Sequence, residues 1–514
     1  MPESSSMTRI LLGLILMAAL LRLATLGVYP LTDNTEARYA EIGREMVVTG
    51  NWVTPQLDEG RPFWAKPPLS VWLTAASFKV FGINEFSARL PTFLLAGGVL
   101  WLTFLLARQL YGRTTGLLAG ALLASTLLFF MLAGGVMTDP ALGFSTTLIM
   151  VSLILALETS SRLWGHLLFV GAALGLLAKG PIALVLTGFP VFIWLFWKHQ
   201  WGHFFRDLPW LTGIPLMLII ALPWYVMAEL RTPGFIEYFI VGEHYLRFVD
   251  PGWAGDLYGS PHNQPKGMIW VFWLAAALPW SIVFVGVLIA RLFGLGRDRS
   301  LFQAQDRWIA LLVLWTITPM LFFSTASSIL ATYVYPGIPA FAILMALGLM
   351  RSDRETLPQP WLVYTGIALL PIVFAGLVTI MSPQIALKAT QLPVLEQFLD
   401  EAEPGAIVGY ACERPHSAEF YGQDRTYALD QASEDEWSRL FSNGLHNYAV
   451  IEHQRYQKLP PFLQSRMQEV GSYDKYRLLR DTETMSPIPG NADNRQSGSG
   501  FVLEPGPEKH TPMS

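Results

Sequence analysis

The feature that most constrains this chain is a succession of apolar runs, each near the length a helix needs to cross a bilayer. A span takes about 20 apolar residues. Candidate spans fall at residues 9–28, 90–110, 115–133, 140–157, 163–178, 181–197, 208–228, 268–292, 308–326, 330–350 and 361–381. In lipid every backbone polar group has to find its partner inside the structure, so such runs fold as helices. Charged residues make up 14% of the chain, against about 25% in soluble domains. The expected class is an α-helical polytopic membrane protein with about 11–13 transmembrane helices. A further apolar stretch, 67–82, is short and contains Trp72 and Lys79. It reads as a juxtamembrane or re-entrant helix.

Loop charges orient the layout. With Arg9 in the cytoplasm, the inner loops carry Arg108, Arg113, Arg162, Lys198, Arg206, Arg291, Arg297, Arg299, Arg307, Arg351 and Arg354. This agrees with the excess of basic residues in cytoplasmic loops. The outer face then holds 29–89, 133–139, Lys179, 229–267 and everything after residue 381. A net charge of −4 argues against a nucleic-acid partner. The one cysteine, Cys412, rules out an internal disulfide. Arg9 ahead of an apolar run with no small-residue cleavage site behind it reads as a retained signal-anchor.

The domain reading is a membrane domain over 1–381 with an outer loop at 29–89, a small α/β domain over 382–480, and a disordered tail over 481–514. Strands are expected at 406–410 and 447–451, with one or two more within 467–479. Helices are expected near 417–421 and 433–441. Strands alternating with helices give the α/β assignment.

A cluster of ionisable residues at the exit of a first span is costly unless it has work to do. Here Asp33 and Glu36 stand three apart. They suit a helix start, with Asp33 as N-cap and Glu36 reaching back, or a pair of carboxylates facing a reacting sugar. Arg38 and Arg44 would offset their charge. Lys66 precedes Pro67 and Pro68, which oppose a helix there; it is either an interfacial lysine near Trp64 and Trp72 or a rigidly held phosphate ligand. Asp139-Pro140 is a common helix start or a second site carboxylate. Lys179-Gly180-Pro181 is an ordinary helix stop or a second cation for phosphate. Glu243 and Arg247 are spaced for a helical ion pair, and His244 lies between them. Tyr333 and Tyr335 are belt aromatics or the rim of a lipid-carrier groove. No tight His/Cys/Asp metal spacing, phosphate-binding glycine loop or nucleophile elbow appears.

Together these stretches resemble a known family. Pro30-Leu31 with Asp33 and Thr35-Glu36-Ala37-Arg38-Tyr39-Ala40-Glu41, then Asn51-Trp52-Val53-Thr54-Pro55, Lys66-Pro67-Pro68-Leu69 and Phe81-Gly82 through Arg89-Leu90, are similar to the lipid A 4-amino-4-deoxy-L-arabinose transferases. These are polyprenyl-phosphate-dependent GT-C glycosyltransferases related to protein O-mannosyltransferases. Thr138-Asp139-Pro140, Ala178-Lys179-Gly180, Glu243-His244 with Arg247-Phe248, and Thr332-Tyr333 with Pro336 extend the resemblance. It implies an undecaprenyl-phosphate-linked sugar as donor, lipid A as acceptor, and work at the periplasmic face of a bacterial inner membrane. By the resemblance, Asp33 and Asp139 are the acidic site residues, Lys66, Lys179 and Arg247 are candidates for binding donor or acceptor phosphates, and His244 is a candidate site histidine. Glu36 is a further candidate catalytic carboxylate, and Arg38, Tyr39 and Tyr333 are further candidates for binding substrate. The resemblance also implies a divalent metal ion, although Ala65 stands where the family has a glutamate able to hold one. The stretch Ser328-Ile329-Leu330-Ala331-Thr332-Tyr333 lacks the family's lysine and first proline. Another sugar or a protein acceptor within the same class, and a lipid-linked sugar transporter, are the competing readings. Charge gathered at one face rather than at the membrane midplane favours surface chemistry over transport.

Overall fold

The computed structural model describes residues 5–33, 35–58, 60–249, 255, 257–258, 262–292, 306–326, 328–351, 359–430, 432–459 and 461–484. Arg297, Arg299, Arg354 and the tail beyond residue 484 lie outside the described residues. The chain divides into two compact units. The first takes Met1–Pro30, Met46–Pro55 and Phe63–Pro383. The second takes Leu31–Glu45, Gln56–Pro62 and the chain from Gln384 onward. The outer stretch, read from sequence as one loop of the membrane domain, is thus shared between them.

The first unit is helical. Among the described residues six helices are long and apolar enough to cross a membrane: Ser5–Thr25, Glu85–Tyr111, Asp139–Thr159, Trp210–Arg231, Ala331–Arg351 and Pro360–Ala389. A bent pair, Met268–Ala276 and Trp280–Ile289, turns by 112° and makes a seventh if counted as one span. The chain is a multi-pass membrane protein. The larger number of spans expected from apolarity counts helices that stop short. Ile182–Lys198 and Arg307–Phe323 have the composition of a span but fewer than 18 residues, and the run 115–133 breaks into Arg113–Ala124 and Leu127–Leu132. Apolarity reports burial against protein as readily as burial in lipid. Asp139–Thr159 makes the point, with 94% of its apolar window inside the structure. Leu69–Phe81, at 13 residues, rises only about 20 Å and does not span alone.

Buried arginines fix the exit of the first helix. The Arg89 guanidinium donates to the carbonyls of Leu26, Tyr29 and Pro30 at 2.8, 2.7 and 3.0 Å and stacks on the Tyr29 ring. It satisfies backbone acceptors that a helix end leaves open. Two indoles do the same for Asn51-Trp52-Val53-Thr54-Pro55: Trp72 donates to the Trp52 carbonyl at 2.7 Å and Trp224 to that of Val53 at 2.8 Å.

The second unit is α/β. Strands β1 (Gln56–Asp58) and β2 (Arg61–Pro62) form an antiparallel pair. A five-stranded mixed sheet contains β3 (Val408–Tyr410), β4 (Thr426–Ala428), β5 (Tyr448–Glu452), β6 (Met467–Tyr473) and β7 (Tyr476–Asp481) in the order β4-β3-β5-β7-β6. β3 runs parallel to β4 and β5, while β7 is antiparallel to β5 and β6. Its core is Val394, Leu395, Phe398, Val408, Tyr410 and Val450 on one face, and Trp437, Phe441, Ile451 and Leu463 on the other. Asp481, assigned to the tail from sequence, ends β7 instead. Its carboxylate pairs with Arg466 at 2.9 Å.

Candidate functional site

In the first unit six of the expected residues join one polar constellation. Lys66 sits in the bend that Pro67 and Pro68 impose, just ahead of the helix Leu69–Phe81. Its ammonium donates to the Ala65 carbonyl at 2.6 Å and to Glu243 at 2.9 Å. Glu243 also accepts from Arg247 at 3.0 and 3.1 Å and from the Tyr238 hydroxyl at 3.2 Å. Its side chain is 4% exposed. Burial alone would raise the Glu243 carboxyl, but Lys66 and Arg247 outweigh it and hold it below the ordinary value.

Glu243 and His244 belong to a π-helix, Glu237–Leu246, a rare geometry often found at functional sites. The Glu243–Arg247 spacing therefore forms the expected ion pair, at the junction of a π-helix with the short α-helix that follows. His244 lies between the carbonyls of Phe239 (2.8 Å) and Lys179 (3.1 Å). Burial, the largest influence, pushes its pKa down. As a neutral ring it donates to only one of the two carbonyls. Gly180 makes this approach possible. Its φ is +81°, and a Cβ there would press on Phe239 and His244.

Lys179 ends the helix Arg162–Lys179, with Gly180 closing it through an N–H bond to Leu176. The stop signal read from sequence is therefore real. The same lysine pairs with Asp139 at 2.9 Å, and its ammonium lies 4.7 Å from the Tyr333 ring centroid. Thr138, rather than Asp139, occupies the N-cap position, and it makes no side-chain cap bond. Asp139 is thus left to face Lys179. Close by, the Tyr335 ring packs where a Cβ at residue 143 would lie. Its buried hydroxyl finds no hydrogen-bond partner.

The remaining expected residues lie in the second unit. Asp33 is not the N-cap of the helix Glu36–Thr49. Its carboxylate accepts from the N–H and the hydroxyl of Ser417, both at 2.8 Å. Glu36 reaches back to Thr32, accepting from its N–H at 3.5 Å and its hydroxyl at 3.3 Å. It is a local reach-back to Thr32 rather than to Asp33, the residue expected to cap the helix. Arg38 lies over the Tyr39 ring, 5.6 Å from its centroid.

Glu243 and Ser417 are the site partners that sequence reasoning missed. For Glu243 the local spacing to Arg247 was visible, but Lys66 is 177 residues away. Among the described residues no three His, Cys, Asp or Glu stand together as a metal site, and Ala65 brings no ligand. The residues present do not fit a divalent cation, and no step below runs through one.

The comparisons bear on the same regions. The family model for dolichyl-phosphate-mannose-protein mannosyltransferase matches residues 7–239. The undecaprenyl phosphate-alpha-4-amino-4-deoxy-L-arabinose arabinosyl transferase 1 of Pseudomonas fluorescens is 32% identical over 342 residues, covering 65% of this chain and 56% of that protein. The corresponding transferase of Erwinia tasmaniensis is 33% identical over 352 residues, covering 66% and 59%. The chain thus spans less than two thirds of the length of these relatives. The crystal structure of ArnT from Cupriavidus metallidurans bound to undecaprenyl phosphate superposes with a TM-score of 0.76 at 20% identity, covering 93% of this chain and 99% of that one. The chain has the ArnT fold. The relatives that the comparisons name are the transferases that the outer-loop motifs resemble, and the ArnT likeness extends over both units.

Proposed function

We propose that this chain is a glycosyltransferase of the bacterial inner membrane that moves 4-amino-4-deoxy-L-arabinose from undecaprenyl phosphate to lipid A at the periplasmic face. One observation carries the reading: a buried carboxylate, Glu243, holds two cations, Lys66 and Arg247, in a chain with the fold of a protein crystallised with undecaprenyl phosphate. Lys66 and Arg247 bring two cationic groups together, which suits a phosphate.

In the inverting reaction an oxygen of the acceptor attacks the anomeric carbon. The bond from that carbon to the donor's phosphate oxygen breaks, and its electron pair leaves with undecaprenyl phosphate. Lys66, Arg247 and Lys179 stabilise the departing anion. A carboxylate, for which Asp139 and Asp33 are the candidates, supplies negative charge as the sugar becomes cationic. A lipid A phosphate is already an anion, so this acceptor needs no strong general base. Tyr333 and His244 in the first unit, and Arg38 and Tyr39 in the second, are the further candidates for binding substrate. The mannosyltransferase family model over residues 7–239 makes a hexose donor the second reading.

The test is expression in a strain that makes the aminoarabinose donor but lacks its own transferase, followed by mass spectrometry of lipid A. The expected result is a gain of one aminopentose, abolished by Asp139→Asn and by Lys66→Met in variants that still insert. A gain of one hexose would select the second reading. Unmodified lipid A from a correctly inserted protein would overturn the assignment of donor and acceptor.

A further inference from the structure

The second unit has no evident chemistry of its own. Its thiol, Cys412, is buried and pushed up to about 12 by that burial, and its ion pairs are mostly local. One contact within it joins the two ends of the chain. Asp33, at the exit of the first helix, is held by Ser417, which opens the short helix His416–Gly422. The two are 384 residues apart in the chain.

The hydrogen bonding here has a definite direction. A backbone N–H only donates, so the Ser417 N–H commits one Asp33 oxygen to being an acceptor. The Ser417 hydroxyl accepts from the Gln391 N–H at 2.8 Å, which leaves its single proton for the other Asp33 oxygen. Ser417 is completely buried, so water does not compete for either bond. A third bond fixes the backbone: the Asp33 N–H donates to the Ala389 carbonyl at 2.8 Å. Gln391 is itself buried, and its side-chain oxygen accepts from the Tyr410 hydroxyl of β3 at 3.3 Å. The carboxylate is therefore fixed in rotation and offered two donors, an arrangement that suits an anion and not a neutral acid.

We propose that Ser417 is a positioning residue for the transfer reaction: within the α/β unit it fixes the orientation of the Asp33 carboxylate and offers its anion two hydrogen bonds. This rests on the reading above that Asp33 serves the reacting sugar. On this account the domain contributes to turnover by presenting a fixed negative charge, without touching substrate itself. A carboxylate with two donors is a weak proton acceptor and an effective electrostatic partner for a cationic sugar. The charged and titratable groups around Asp33 are His416 on the same short helix, Lys475 in the turn between β6 and β7, and Tyr410 on β3. Burial is the largest influence and leaves the Asp33 carboxyl above its ordinary value, while both Ser417 bonds, His416 and Lys475 limit that rise.

The test compares wild type, Ser417→Ala, Ser417→Cys, Ser417→Thr, Asp33→Asn and the Asp33→Asn/Ser417→Ala double variant in lipid nanodiscs. Release of undecaprenyl phosphate from its aminoarabinose conjugate is followed with lipid A as acceptor. Losing the hydroxyl removes a bond that favours the anion, so the acid limb of kcat should move to higher pH in Ser417→Ala. kcat at neutral pH should fall about tenfold, a modest loss of alignment, with KM unchanged. Ser417→Thr, which keeps the hydroxyl, should restore both kcat and the limb. The double variant should be no slower than Asp33→Asn alone, because the serine acts only through the aspartate. If Ser417→Ala does not accumulate, Ser417→Cys, a weaker donor of similar size, should show a smaller shift in the same direction. An acid limb unmoved in both serine variants, or a double variant slowed by the product of the two single effects, overturns the proposal. A fully active Asp33→Asn also overturns it while leaving the transferase reading in place. A wild type that releases no undecaprenyl phosphate overturns that reading and the positioning role with it.

Discussion

Two buried charge clusters in this chain have opposite stoichiometry. In the first unit one carboxylate, Glu243, serves two cations, Lys66 and Arg247. In the second unit one cation, Arg44, serves three carboxylates: Glu41 at 2.8 Å, Glu45 at 2.5 Å and Asp424 at 2.6 Å. Both central groups are almost fully buried, at 4% and 5% side-chain exposure. The outer groups differ in sign and exposure. Around Glu243 they are cations that reach water, at 20% for Lys66 and 24% for Arg247, where an anion can meet them. Around Arg44 they are carboxylates, of which Glu41 and Glu45 are only 4% and 10% exposed. That cluster closes around the arginine and ties the helix Glu36–Thr49 to Asp424. A buried ion network is evidence for ligand binding only when its outer charges face water.

The contrast can be broken or sharpened by three substitutions. The largest effect is expected for Glu243→Gln, which leaves two cations without their counter-ion. Breaking a buried pair costs about 3–5 kcal/mol, and the partial exposure of both cations places this one near 3. Thermal unfolding in detergent at pH 7 measures it. The wild-type Glu243 carboxyl is held below its ordinary value of 4.5, so its stabilisation is present above that pH and lost as pH falls through the lowered value. The gap between wild type and Glu243→Gln should therefore close below pH 4.5. A gap of the same size at pH 3 would remove the ion-pair explanation.

Arg44→Met comes next, at about 2 kcal/mol near pH 8. Burial pushes the Glu41 carboxyl up to about 7. A carboxyl raised in this way favours the folded state at low pH and loses that contribution as pH rises through its folded value. The variant should therefore recover stability between pH 8 and pH 6, whereas Glu243→Gln should not. Protease resistance of the second unit reads this out, and identical pH responses of the two variants would erase the contrast. The smallest effect is expected for Asp424→Ala. Its side chain is 58% exposed, and a pair open to water contributes below about 0.5 kcal/mol. A loss as large as that of Arg44→Met would mean that Asp424 is the main partner and that the cluster is not closed.

What sequence reasoning recovered was local. The Lys179-Gly180 stop and the Glu243–Arg247 pair are each written within five residues, and both are present, whereas Glu36 reaches back to Thr32 instead of Asp33. Also present are four of the five strands of the larger sheet, β3, β5, and β6 and β7 in the stretch expected to hold one or two, together with both expected helices. β4 escaped because three residues, Thr426–Ala428, are too few for an alternating pattern. Asp139 was placed one position early because Thr138 takes the cap position. The long-range pairings among the candidate residues, Lys66 with Glu243 and Lys179 with Asp139 in the first unit and Asp33 with Ser417 in the second, join residues 40 to 384 positions apart. Nothing local encodes such pairings. Ser417 in particular is a small polar residue in a short helix, with no feature to mark it.

The composition of the second unit also has a consequence in time. Leu31–Glu45 emerges early, yet the strands and the short helix that complete its unit lie beyond Gln384. At roughly 5–20 residues per second, Ser417 follows Asp33 out of the ribosome by about 20–80 s. Throughout that interval Asp33 lacks Ser417, and Arg44 has Glu41 and Glu45 but not Asp424. A nascent-chain quality-control factor would meet this stretch exposed in every molecule made, and release from such surveillance would report the arrival of the last sheet.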